Sequence, residues 1–184
     1  MLGDLQIIRG MLVATFDLED NYRMDREMGG GSLWDVGCYP ISYTRLIVGE
    51  KPRKVFGWQV EGPTGIDETF MGQMRFENGV LAQFVCGFAS PFRTSKEIIG
   101  SMGTLTVPMP FHPGKNDKFY LQVGDETKTI EIPDQELYIG EVEDMADAVL
   151  LGKEPRMSLA DSRDIIEMIL GLFESARTGK PVTL

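Results

Sequence analysis

Between residues 53 and 131 apolar and polar side chains alternate in short runs separated by turn residues. That period of two predicts strands. RKVFGWQVE (53–61) and DETFMGQMRFE (67–77) are the first two in this block. Asn78 and Gly79 join the second to VLAQFVCGF, a hairpin signal in which both turn positions are expected at positive φ. KEIIG-SMG-TLTVP predicts another hairpin around 100–103, and FYLQVG-DE-TKTIEIP a third around 124–126. Ahead of the block, QIIRGMLVATFDL (6–18) is dense in β-branched and aromatic residues and predicts a strand. Residues 19–31 are polar, then glycine-rich, and predict a long loop.

The period lengthens to that of a helix in three places. Residues 33–48 form the first, closed by Gly49 with Pro52 beyond. Residues 139–151 form the second, with Val142, Met145, Ala146, Val149 and Leu150 at helical spacing. Residues 159–178 form the third, with Ser158 as N-cap, Asp161 three residues on, and Gly179 and Pro181 as stop. Strand, helix, a block of strands and two helices predict a single α+β domain over 1–184, with helices on one face of a mostly antiparallel sheet. Phe70, Met74 and Phe76 share one face with Val80, Ala82, Phe84, Cys86 and Phe88, but Met71, Leu81 and Val85 are apolar too and lie on the other. A sheet face open to water should be more polar. A second subunit is expected to cover that face; the chain's own loops are the alternative.

Composition narrows the partners. The 184 residues carry 28 acidic and 18 basic side chains, a net charge of −10. That argues against nucleic acid, whose phosphates require a basic surface, and against anionic membrane surfaces. No apolar run reaches the roughly 18 residues of a membrane span, and MLGDLQIIRG lacks the basic start of a signal peptide, so a cytoplasmic chain is expected. Cys38 and Cys86 are far apart, and the lone His112 lies between prolines, so no metal site is expected.

The candidate chemistry lies in MGGGSLWDVGCYPISYTRLIVGE (28–50). No lysine follows Gly29–Gly31 as a Walker loop requires, and no GxGxxG occurs, so the glycines predict a hinge into a helix with close backbone approach. Asp35 and Tyr39 are four residues apart on one helix face, which Tyr43 continues. Pro40 removes the donor that the Val36 carbonyl would use and is expected to kink the helix near Tyr39. An Asp beside a Tyr at a kink is a candidate polar site; an exposed Asp and a Tyr packed at the helix rim is the plainer alternative.

The segment NYRMDREMGGGSLWDVGCYPISYTRLIVGEKPRKV, followed in order by RFENGVLAQF, EIIGSMGTLTVPMPF, YIGEVEDMADAVLLGKEP and SLADSRDIIEMILGLFESARTGKPV, resembles the glucose–fructose oxidoreductase, inositol dehydrogenase and MocA (Gfo/Idh/MocA) family. Its branch of dihydrodiol dehydrogenases and NADP-dependent xylose dehydrogenases is the most similar. The resemblance is to the family's C-terminal half, a large open sheet that carries substrate residues and the oligomer interface. The N-terminal Rossmann half and its Glu-Lys-Pro motif have no counterpart; Glu50–Pro52 is a lookalike expected in a surface turn. The resemblance implies Tyr39 as general acid/base and Asp35 as the residue that orients substrate. It places Arg23, Gly30 and Gly31 near substrate or cofactor, although a surface salt bridge would equally account for Arg23. It also implies NAD(P) in a full-length enzyme, with none expected on this chain alone. Substrates would be sugars, polyols or dihydrodiols, and the assembly a homodimer or tetramer through the open sheet. A stand-alone, non-catalytic dimerisation or interaction domain is the other expectation.

Overall fold

In the computed structural model, which describes residues 1–16, 21–112, 114, 117–134 and 136–184, nine strands form one sheet. In chain order these are β1 (Leu5–Val13), β2 (Lys54–Glu61), β3 (Asp67–Arg75), β4 (Leu81–Gly87), β5 (Arg93–Gly100), β6 (Thr104–Val107), β7 (Lys118–Val123), β8 (Glu126–Glu131) and β9 (Val182–Thr183). The order across the sheet is β8-β7-β6-β5-β1-β4-β3-β2-β9. Every pairing is antiparallel except β1 with β4, which run parallel from Ile7 opposite Leu81 to Val13 opposite Gly87. The fold is therefore the expected α+β arrangement. β1 enters the sheet centre between β4 and β5, joining two antiparallel blocks. It ends at Val13; the last residues of the run predicted as strand, 17 and 18, lie outside those described.

The Asn78-Gly79 hairpin forms, but with a different turn from the one expected. Gly79 alone takes positive φ (+89°), donating to Phe76 O at 3.2 Å, while Phe76 donates to Val80 O at 3.0 Å. This is a three-residue loop with glycine in the left-handed position, and Asn78 instead accepts from Val80 N through its side chain at 3.1 Å.

Three α-helices follow the predicted positions: α1 (Cys38–Val48), α2 (Ile139–Leu151) and α3 (Leu159–Thr178). Ser158 and Asp161 cap each other's backbone at the start of α3, and Gly49 and Gly179 close α1 and α3 in the left-handed conformation. The start of the first predicted helix differs. Leu33–Gly37 is a π turn, a wider coil leading into α1. The irregularity thus precedes Tyr39 and ends just ahead of Pro40, taking up the turn in which the proline ring would meet the Val36 carbonyl.

The π turn, α1 and α3 lie on one face of the sheet. Their Leu33, Val36, Ile41, Met168, Ile169 and Leu172 pack on Ile8, Val55, Phe70, Met74, Phe84 and Cys86 in a single core. Lys96 on β5 is also fully buried there. The opposite face exposes Trp58, Val60, Met71 and Leu81. α2 stands apart: its evenly spaced Val142, Met145, Val149 and Leu150 face outward instead of inward, Val149 being 74% exposed. Among the described residues no helix is long and apolar enough to cross a membrane, and no group of His, Cys, Asp and Glu could hold a metal ion.

Candidate active site

The three glycines are stitched down. Gly29 N donates to Arg26 O (3.2 Å), Gly30 N to Asp25 O (2.8 Å) and Gly31 N to Arg23 O (2.9 Å). A Cβ on Gly30 would sit 2.5 Å from Arg23 O and 2.7 Å from Asp25 O, so the loop closes only over a bare backbone. Close approach was expected; a mobile hinge is not what these bonds make. They also leave none of the three N–H groups for a phosphate.

The stitching fixes Arg23, on the single 3₁₀ turn Tyr22–Met24, against Asp35 on the π turn. Arg23 Nε donates to Asp35 Oδ2 at 2.7 Å, both side chains about a quarter exposed or less. Its guanidinium also lies 4.7 Å from the Tyr22 ring centroid and 4.9 Å from that of Phe16. The Tyr22 hydroxyl reaches Asp35 Oδ1 at 3.4 Å. The bond to Asp35 raises the Arg23 pKa above its ordinary value, with smaller contributions in the same direction from Tyr22 and Tyr39. Arg23 is thus in an ion pair with Asp35.

Tyr39, on the first turn of α1, is 39% exposed. Its ring meets Phe111 edge to face at 5.7 Å, and Phe111 meets Tyr43 at 6.2 Å. Beneath, Lys96 Nζ lies 3.9 Å from the Tyr43 ring centroid. Partial burial raises the Tyr39 pKa first; Tyr138, Cys38, Asp35 and Glu141 add to it. Near neutral pH the phenol therefore holds its proton. Burial and these four neighbours oppose the phenolate that a general base needs, and the Arg23 guanidinium named above acts the other way. Tyr138, which precedes α2 and is the non-glycine residue with positive φ (69°) among those described, and Glu141 are drawn into the site's neighbourhood by this influence.

Tyr39, Asp35, Arg23, Gly30 and Gly31 thus form one neighbourhood. Sequence patterning gave no sign of Tyr22, Phe111, Tyr138 or Glu141, because their place follows from loops and from the entry of α2. Lys51 of the Glu50–Pro52 lookalike lies elsewhere, pairing with Glu167 on α3.

Residues 1–106 match the family model described as the GFO/IDH/MocA C-terminal domain. The chain belongs to the GFO/IDH/MocA family. It is 30% identical over 173 residues to the D-xylose 1-dehydrogenase (NADP(+)) 2 of Haloferax volcanii, covering 91% of this chain and 52% of that protein. It is likewise 30% identical to the trans-1,2-dihydrobenzene-1,2-diol dehydrogenase of Danio rerio, covering 88% of this chain and 50% of that one. The aldose-aldose oxidoreductase of Caulobacter crescentus, solved with glycerol, shares the fold over the whole chain and 56% of its own, with a TM-score of 0.89 at 22% identity. The chain spans about half the length of the curated relatives it matches.

Proposed function

We propose that this GFO/IDH/MocA domain is the substrate-side half of an NAD(P)-dependent oxidoreductase acting on CH–OH groups of sugars, polyols or dihydrodiols. Tyr39 is its proton donor and acceptor, and Asp35, held by Arg23, orients the substrate hydroxyl. The carrying observation is the Tyr39, Asp35 and Arg23 neighbourhood in a chain half as long as its dehydrogenase relatives. Oxidation of an alcohol removes a hydride and a proton; the residues here fit the proton side alone. Gly29–Gly31 hold no N–H free for a diphosphate, so these glycines do not fit the dinucleotide, which takes up the hydride when bound. The Tyr39 pKa points the same way: burial and its acidic and phenolic neighbours raise it despite the Arg23 guanidinium nearby, so a further cation from outside this domain would help Tyr39 act as a base.

Two surfaces support the reading. The outward Val142, Met145, Val149 and Leu150 of α2 form an apolar stripe suited to a further domain, and Trp58, Val60, Met71 and Leu81 on the open sheet suit a homodimer or tetramer. The enzyme would be cytoplasmic. A stand-alone dimerisation module is the second reading, and the raised pKa of Tyr39 in this chain is what favours it.

The test is the mass of the native polypeptide, by immunoblot, with NAD(P)⁺ reduction assayed on sugars, polyols and dihydrodiols. A polypeptide longer by roughly 120–150 residues, about one domain, that reduces NAD(P)⁺ supports the enzyme. A native chain of 20.5 kDa without turnover supports the module.

A further inference from the structure

Asp67 opens β3 and is 4% exposed, yet it belongs to no part of the sheet's own bonding through its side chain. Its Oδ2 accepts from Ser32 Oγ at 2.8 Å and from Leu33 N at 2.7 Å. Ser32 stands where the π turn begins and makes no capping bond to that turn. Its hydroxyl is turned to Asp67 instead. A carboxylate from a distant strand therefore does what an N-cap side chain does locally. It accepts an otherwise orphaned N–H and sets negative charge at the positive end of the coil.

The same carboxylate reaches the loop. Gly31 has φ of +119°, and a Cβ there would overlap Asp67 Oδ1. Gly31 is the residue that donates to Arg23 O. Strand β3, the turn bearing Asp35 and the loop bearing Arg23 thus share one anchor.

We propose that Asp67 is a positioning residue of the site. It fixes the start of the helical segment that carries Asp35 and Tyr39 against the loop that carries Arg23. This rests on the reading of those three residues as the working site, and Asp67 itself touches no substrate. Burial raises its pKa, and the donors Ser32 and Leu33 pull it back toward the carboxylate.

The test uses this chain and needs no turnover. In ¹⁵N-resolved spectra the Arg23 Nε–H signal reports the bond to Asp35, and hydrogen exchange at Leu33 N reports the clamp. Asp67→Ala should abolish the protected Arg23 signal and speed exchange at Leu33 by roughly ten-fold or more. Asp67→Asn, which keeps an acceptor oxygen, should restore much of both. Leu121→Ala, in the far strand β7, lowers global stability without touching the clamp and should leave the Arg23 signal unchanged. If Asp67→Ala does not fold, Ser32→Ala removes one of the two donors and should give a smaller loss of the same kind. A protected Arg23 signal in folded Asp67→Ala, or its equal loss in Leu121→Ala, overturns the proposal. If Tyr39 proves not to be the acid/base, these results are unaffected, so the two readings fail separately.

Discussion

Lys96 offers a prediction whose sign runs against intuition. Its amine is fully buried between β5 and α1, with Thr44 Oγ1 at 3.5 Å and the Tyr43 ring at 3.9 Å. Burial pushes its pKa down to about 6. In the unfolded chain it is about 10.4. Between those values the unfolded state binds a proton that the native state does not, so the wild-type chain gains stability as pH rises through the window. At pH 7 this costs the folded chain several kcal/mol, at roughly 1.4 kcal/mol for each pH unit between 7 and the unfolded value. The Tyr43 face favours the ammonium and offsets part of that cost. Lys96→Met, of similar length and uncharged in both states, removes that cost. The variant should be more stable than wild type by about 3–4 kcal/mol at pH 7 in urea unfolding, with a Tm higher by about 8–12 °C. The gain should be largest below pH 6 and should vanish near pH 10, where the unfolded lysine also loses its proton. A Lys96→Met chain less stable than wild type at pH 7, or a gain that does not change between pH 7 and 10, would refute this reasoning.

Gly31→Ala forces a side chain onto Asp67 Oδ1 at a φ of +119° and should destabilise the chain by about 2 kcal/mol or more in the same urea assay; a change within 0.5 kcal/mol, the usual range for surface substitutions, would mean the loop is not held as described. Arg23→Lys keeps the charge but loses the Nε–H that donates to Asp35 and the guanidinium over the Tyr22 ring; in the complete enzyme kcat/KM should fall about ten-fold, and an unchanged value would remove the pair from the site. Trp58→Glu on the open sheet should shift the sedimentation coefficient from oligomer to monomer, while a monomeric wild type would exclude that interface.

Much of the sheet could be read from alternation alone, because hairpin strands pair with their sequence neighbours and turn residues mark the joins. The parallel pairing of β1 with β4 could not: alternation says which face a residue takes, not which strand lies beside it. The short β9 depends on two residues pairing with Lys54 and Val55, too few for a pattern. Apolar spacing located α2 correctly yet implied burial, since periodicity marks an apolar stripe without saying what covers it. In the site, the Asp35 to Tyr39 spacing and Pro40 were legible, and the resemblance gave them roles. The contributions of Asp67, Tyr22, Phe111 and Lys96 were not legible, because each arises from long-range packing. Asp67, for instance, lies 35 residues from Ser32.

The proposed chemistry turns on one proton. Tyr39→Phe in the complete enzyme removes the hydroxyl while keeping the ring against Phe111. With this change kcat should fall by ~100-fold or more, with NAD(P) affinity unchanged, as loss of a general acid/base requires. A Phe variant turning over at the wild-type rate would contradict it and leave the Tyr39 neighbourhood as inherited architecture.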